Sequence, residues 1–164
     1  MKISILDKTK KKKFIAGVED LGMKKIPELL IRTGRERIRA YSGNLSKEEI
    51  MELWMILPFE GIGLYVGKDM VNRSGVREVR LSVDGLHTWK DQIDGNILKL
   101  SEEQEELWFR GKNIELDAGQ SGGVEGKFVA VQSADGKDLI GTGKLDGEGK
   151  VLYGFLPKER RRKN

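Results

Sequence analysis

Phe128-Val-Ala-Val-Gln-Ser-Ala-Asp-Gly-Lys-Asp-Leu-Ile-Gly-Thr-Gly-Lys-Leu-Asp-Gly-Glu-Gly-Lys-Val-Leu-Tyr-Gly-Phe155 is the stretch on which the fold turns. Its apolar runs, at 128–131, 139–140 and 151–155, are short and rich in β-branched and aromatic residues. Asp135-Gly136 and Asp146-Gly147 separate them, and an Asp-Gly pair between such runs is a strong short-range signal for a hairpin. Just upstream, Ser101-x-x-Gln104 reads as a capping box, in which two side chains satisfy free amides at a helix start. Leu107 and Trp108 supply that helix with apolar contact, and Gly111 supplies its stop. One helix followed by short glycine-hinged strands predicts a small barrel rather than a sandwich.

The first half mixes the two kinds of element. Leu29, Leu30 and Ile31 follow Pro27 as a strand, and Thr33-Gly34 turns into a second strand over 35–41, making a hairpin. Ser46-x-x-Glu49 is another capping box. Ile50, Leu53, Trp54 and Leu57 then follow the spacing of one buried helix face, until Pro58 stops the helix. Gly61 to Gly67 is a glycine-punctuated strand or turn. Over 76–83 apolar Val79, Leu81 and Val83 alternate with Glu78 and Arg80. The polar stretch 91–96 marks a boundary, so the expectation is an α+β chain. A small α/β domain over 1–95 is followed by a barrel over 96–164.

Composition narrows the function. The 164 residues include no cysteine, which excludes disulfides and thiolate metal sites. His87 is the sole histidine, so a multi-histidine metal centre is excluded and a catalytic triad has few residues to draw on. Gly141-Thr-Gly-Lys144 lacks the spacing of a phosphate loop, since Asp138 and Leu145 stand where that motif needs Gly and Ser or Thr. The acidic residues at 102–106 read as a solvated helix start. No enzyme activity and no cofactor are expected. Nor does any apolar run reach the length that spans a bilayer, and residues 1–13 do not read as a signal peptide. The expected location is the cytoplasm, without membrane contact.

The formal net charge is +4, with basic surplus over residues 1–50 and again at the very end. Such clusters attract polyanions, although charged termini also serve solubility alone.

The second half resembles a PUA domain, an RNA-binding barrel. The residues that carry the resemblance are Leu107-Trp-Phe-Arg-Gly-Lys112, Gly126-Lys-Phe-Val-Ala-Val131 and Asp135-Gly-Lys-Asp-Leu-Ile-Gly-Thr-Gly-Lys144. The ending Gly149-Lys-Val-Leu-Tyr-Gly-Phe-Leu-Pro-Lys-Glu-Arg-Arg161 is similar to the close of the PUA-like domain behind RNA cytosine-C5 methyltransferases. The first half more loosely resembles the pre-PUA domain of an archaeal and eukaryotic ribosome-biogenesis factor family. The methyltransferases need catalytic cysteines and a cofactor domain, neither of which is present. What the resemblance implies is therefore an RNA-docking role alone, with rRNA or tRNA as partner and with RNA modification or ribosome biogenesis as context.

Candidate contacts follow. Arg35, Arg37 and Arg39 alternate, so a strand would put all three on one face about 7 Å apart; a solvated strand face is the other reading. Arg110 and Lys112 flank Gly111, where they would meet RNA or complement the helix dipole. Lys144 closes the quoted glycine motif. Lys158, Arg160, Arg161 and Arg162 end the barrel, where the resemblance implies a face toward RNA; a frayed tail is the alternative. Lys10 to Lys13 reads as a flexible electrostatic arm. Trp54 and Trp108 read as core. Trp89 is either a base-stacking residue or an interface anchor. A second possibility is an accessory module that positions a separate RNA-modifying enzyme or ribosome-assembly factor. An exposed apolar patch around Tyr65, Leu86 and Trp89 would favour it.

Overall fold

The computed structural model describes residues 2–124 and 128–163. Gly126 and Lys127, which help carry the resemblance, lie outside the described residues. The chain runs β1 (Ile3–Ile5), α1 (Lys8–Ala16), β2 (Leu29–Thr33), β3 (Arg37–Tyr41), α2 (Lys47–Ile56), β4 (Leu64–Val71) and β5 (Arg77–Leu81). It continues through α3 (Val83–Thr88), β6 (Ile97–Lys99), α4 (Glu102–Phe109), β7 (Ile114–Glu115), β8 (Phe128–Gln132), β9 (Leu139–Leu145) and β10 (Val151–Gly154). This is an α+β fold. The first five strands form one antiparallel sheet in chain order. The second sheet, ordered β6-β8-β9-β10-β7, curls into a half-barrel in which only β6 and β8 run parallel among the described pairs.

The β2–β3 hairpin forms where its turn signal lies, but β3 starts later than its alternation predicts. Gly34, with φ at 63°, bends the chain, and Arg35 and Glu36 complete the turn before Arg37 enters the strand. Arg35 therefore does not share a strand face with Arg37 and Arg39.

Both capping boxes are present. Ser46 and Glu49 close one at α2, Ser101 and Gln104 the other at α4. The predicted buried face of α2 is corrected, however. Ile50 is fully buried against Ile3 and Ile31, whereas Leu53 is 39% and Leu57 67% exposed and Trp54 only half-buried. The helix touches the sheet with its first turns and then runs past it.

The alternation over 76–83 is also cut short. Ser82 leaves the strand and its Oγ accepts the Gly85 amide at 3.0 Å, so Val83 opens α3 instead of extending β5. A side chain at Gly85 would strike the Val66 carbonyl, which is how α3 lies directly on β4. Trp89 is not available for stacking, because it is 3% exposed and its Nε1 donates to Glu28 Oε2 at 3.1 Å. Leu86 is buried too, so the apolar patch expected around Tyr65, Leu86 and Trp89 does not exist. Lys10 to Lys13 is no flexible arm: the run lies on α1, whose start Asp7 caps by accepting the Lys10 amide.

Besides the Ile3, Ile31 and Ile50 cluster under α2, two larger cores hold the sheets among the described residues. Phe14, Leu30, Ile38, Val66, Leu86 and Trp89 centre the first. Trp108 centres the second, with Leu98, Ile114, Val129 and Leu152, and its Nε1 donates to the Ile140 carbonyl at 3.3 Å. Burying an indole of this size contributes about 4–6 kcal/mol from area alone. The chain changes sheet between Leu81 and Ile97, yet Ala130 of β8 belongs to the first core, and Ile97 and Leu139 pack on it. Thr142 Oγ1 donates to the Leu81 carbonyl at 2.7 Å across the same junction.

Candidate nucleic-acid interface

The first sheet buries one face under α1 and α3. On the other face α2 covers only the end bearing Ile3 and Ile31. Beyond α2 that face is open, and strand register sets its content. Arg37 is paired in register with Lys68, and Lys68 with Arg80. Three cations thus stand side by side across β3, β4 and β5, with neighbours about 5 Å apart at Cα. Tyr65 is paired in register with Arg39, and its hydroxyl lies among the fields of Arg80, Arg37 and Arg39. Burial raises the Tyr65 pKa, and the three guanidinium groups only partly oppose that.

Like charges placed directly opposite one another destabilise a sheet by tenths of a kcal/mol per pair. Glu36 relieves part of this by standing 3.8 Å from Lys68. Arg37 and Arg80 form no ion pair among the described residues. Burial lowers the Arg80 pKa, but a guanidinium starts so high that it stays charged.

A matching row crosses the half-barrel. Phe128 is paired in register with Lys144, and Lys144 with Tyr153. Phe128, Ala130, Thr142 and Lys144 lie on one face by alternation, and the Ala130–Thr142 part of it is sealed against the first sheet. The Phe128, Lys144 and Tyr153 part is not. Tyr153 is 42% exposed, and Lys144 Nζ lies 5.9 Å from the Phe128 ring centroid.

Arg80 joins the two rows. Its guanidinium carbon lies 3.9 Å from the Phe155 ring centroid, and Phe155 and Phe128 stand 6.0 Å apart with rings tilted by 56°. The result is a band that reads Arg37, Lys68, Arg80, Phe155, Phe128, Lys144, Tyr153. No family model and no curated protein matches the chain. The band is therefore read from its own chemistry: cations interleaved with aromatic rings, of which Tyr153 is exposed and Phe128 and Phe155 are half-buried.

The residues singled out in the sequence divide between this band and elsewhere. Arg37 and Lys144 lie in it. Arg39 borders it, with its NH1 donating to the Gly63 carbonyl at 3.0 Å and its buried Nε without a partner among the described residues. Arg35 lies at the hairpin tip. The C-terminal arginines are engaged by the protein itself. Arg160 donates twice to Asp84 at 3.0 and 3.1 Å, Arg161 donates to the Leu156 carbonyl at 3.1 Å, and Arg162 meets Glu106 at 2.6 Å. Arg162 also lies over the Phe109 ring, 4.7 Å from its centroid. Arg110 pairs with the same Glu106 at 3.3 Å. These residues clasp the tail to α3 and α4, so they do not present a free cationic cluster; Lys112, Lys158 and Lys163 nearby are exposed and form no ion pair among the described residues.

Sequence reasoning overlooked Tyr65, Lys68, Phe128, Tyr153 and Phe155 as contacts, and treated Arg80 only as the polar side of a strand. His87 Nε2 is held at 2.7 Å from the Leu139 carbonyl. Among the described residues no group of three or more His, Asp or Glu side chains is placed to hold a metal ion. No helix among them is long and apolar enough to cross a membrane.

Proposed function

We propose that this chain is a non-catalytic RNA-binding protein that docks unpaired nucleotides of a structured RNA, such as rRNA or tRNA, on the band joining its two sheets. The observation that carries this reading is the uninterrupted order of Arg37, Lys68, Arg80, Phe155, Phe128, Lys144 and Tyr153 across the junction. Cations fix a ribose-phosphate chain without reading its sequence, and exposed rings stack bases of any kind. Unpaired segments are the natural ligand, because stacked bases inside an A-form helix keep their faces from protein rings. The second half is read as a PUA-type barrel on the order of its elements: a capped helix ending at Gly111, then the β8–β9–β10 meander closed on Trp108.

Fluorescence anisotropy with an RNA hairpin carrying a single-stranded tail tests the proposal. The tailed RNA is expected to bind more tightly than a blunt duplex of equal length. Lys68→Glu with Lys144→Glu is expected to weaken binding about tenfold or more at physiological salt. Equal affinity in that variant would remove the band as the site.

A second reading, an accessory module for a separate RNA-modifying enzyme, draws support from a different surface. Met55, Ile56 and Leu57 at the end of α2 are 76%, 82% and 67% exposed, with Leu53 and Leu64 also exposed. An apolar strip of this kind marks a protein-contact site. A partner retained after nuclease treatment, and lost with Met55→Glu and Ile56→Glu, would favour the module.

A further inference from the structure

On the opposite face of the first sheet a second basic surface has been built. Lys10 and Lys13 of α1, Arg32 of β2, Arg35 of the hairpin turn and Arg77 at the start of β5 line a cleft of about 600 Å³. Its floor is Asp69, buried and engaged from both sides. Arg77 donates to Oδ1 from Nε at 2.7 Å and to Oδ2 from NH2 at 2.7 Å, while Arg32 NH2 reaches Oδ2 at 2.6 Å. Arg32 is pinned further by its NH1, which donates to the Arg35 carbonyl at 2.9 Å. One carboxylate thus holds two guanidinium groups side by side and fixes their direction, leaving the pair with an uncompensated positive charge.

Three more cations reach the same cleft without a structural task. Lys10, Lys13 and Arg35 form no ion pair among the described residues, whereas their neighbour Lys11 is used by the fold, donating to the Glu28 carbonyl at 2.7 Å. The other acidic residue at the rim, Glu36, faces Lys68 on the far side of the hairpin. Five cations against two carboxylates repel one another when the cleft is empty, and an anion with several oxygens would relieve that repulsion. Fixed guanidinium groups suit paired contacts to phosphate oxygens, and lysines supply mobile point charge at the rim.

We propose that this cleft is a phosphate-binding site separate from the band. Where the phosphates belong to RNA, which rests on the function proposed above, the strand passes from Arg37 around the hairpin tip at Arg35 and into the cleft. The alternative source of the same chemistry is a small free polyphosphate.

Two titrations on the full chain separate these sources. In the first, inorganic tripolyphosphate is titrated by calorimetry into wild type, into Lys10→Gln with Lys13→Gln, and into the control Lys8→Gln with Lys12→Gln, two exposed α1 lysines that do not line the cleft. In the second, the tailed RNA is bound by the same proteins over a range of salt. The cleft variant is expected to weaken tripolyphosphate about tenfold or to lower the RNA salt slope by about 1.4, from two phosphate contacts on a single strand. The control is expected to change neither. A cleft variant that matches wild type in both titrations overturns the proposal, even if Lys68→Glu with Lys144→Glu loses RNA. Tripolyphosphate bound in the cleft by a wild type that takes no RNA upholds the site and removes the RNA function. A wild type that binds neither removes both.

Discussion

The Arg80 guanidinium carbon lies over the Phe155 ring, 3.9 Å from its centroid, although Arg80 is in the first sheet and Phe155 directly follows β10 of the second. This contact places the cation row of one sheet against the aromatic row of the other. A partly desolvated cation over a ring contributes about 1–2 kcal/mol. A double-mutant cycle on unfolding with Arg80→Ala and Phe155→Ala is expected to give a coupling of about 1 kcal/mol, since the residues touch. Additive effects would show that the contact does not join the sheets.

Binding of RNA to the band should depend steeply on salt. With Arg37, Lys68, Arg80 and Lys144 each neutralising a phosphate, the band's share of the slope of log affinity against log salt is expected to be about −2.8 on a single strand, any cleft contacts adding to it. Lys144→Gln alone should lower its magnitude by about 0.7. Anisotropy at several salt concentrations reads both.

The arginine-rich ending should matter to the fold modestly and to RNA little. The Arg160–Asp84 and Arg162–Glu106 pairs are substantially exposed, and such pairs contribute between zero and about 1 kcal/mol. Arg160→Ala with Arg162→Ala is expected to lower unfolding stability by at most about 2 kcal/mol and to leave RNA affinity within about threefold of wild type. A loss as large as that of the Lys68 and Lys144 variant would return the tail to the interface.

Asp69 should set part of the acid limb of stability. Burial raises its pKa, but hydrogen bonds from Arg77 and Arg32, together with their charges, outweigh burial and leave it below 3.8. A carboxyl depressed in the folded state stabilises fully above its unfolded pKa, and that contribution is lost as pH falls through the lower folded value. Stability of wild type should therefore fall below about pH 4, while Asp69→Asn loses this component of the fall. At neutral pH Asp69→Asn should cost about 1–3 kcal/mol, because two arginines lose their shared acceptor. Chemical denaturation as a function of pH measures both.

Gly141 should resist substitution. Its φ is 153° and a Cβ there would lie 2.7 Å from the Trp108 ring, in backbone that side chains rarely adopt. Gly141→Ala is expected to cost about 1–3 kcal/mol from overpacking against an indole that has no room to move, with backbone strain added. Thermal unfolding decides this.

These residues also show what could be read without coordinates. Trp108 was legible as core, and the glycine-spaced strand beside it as its neighbour, because a capping box and a hairpin turn are local signals. Trp89 was not: its polar sequence neighbours point outward, and only Glu28, distant in the chain, reveals that its indole is buried and satisfied. Arg160 and Arg162 look like a free cationic tail until the folding chain brings Asp84 and Glu106 to them. Arg80 and Phe155 are separated by the whole half-barrel in sequence, and no periodicity links them. Strand register determines which cations stand in a row, and a register is a relation between strands.

Thr142 Oγ1 bonded to the Leu81 carbonyl, with Ala130 set into the neighbouring core, joins the two halves through shared packing. Severing the chain near Gly95 would strip cover from Ala130, Ile97 and Leu139 on one fragment and from Val79 and Leu81 on the other. Left intact, the joint fixes how Arg37 and Tyr153 lie relative to one another, and in the proposed role that spacing would select strands whose contour brings phosphates to the cations and bases to the rings.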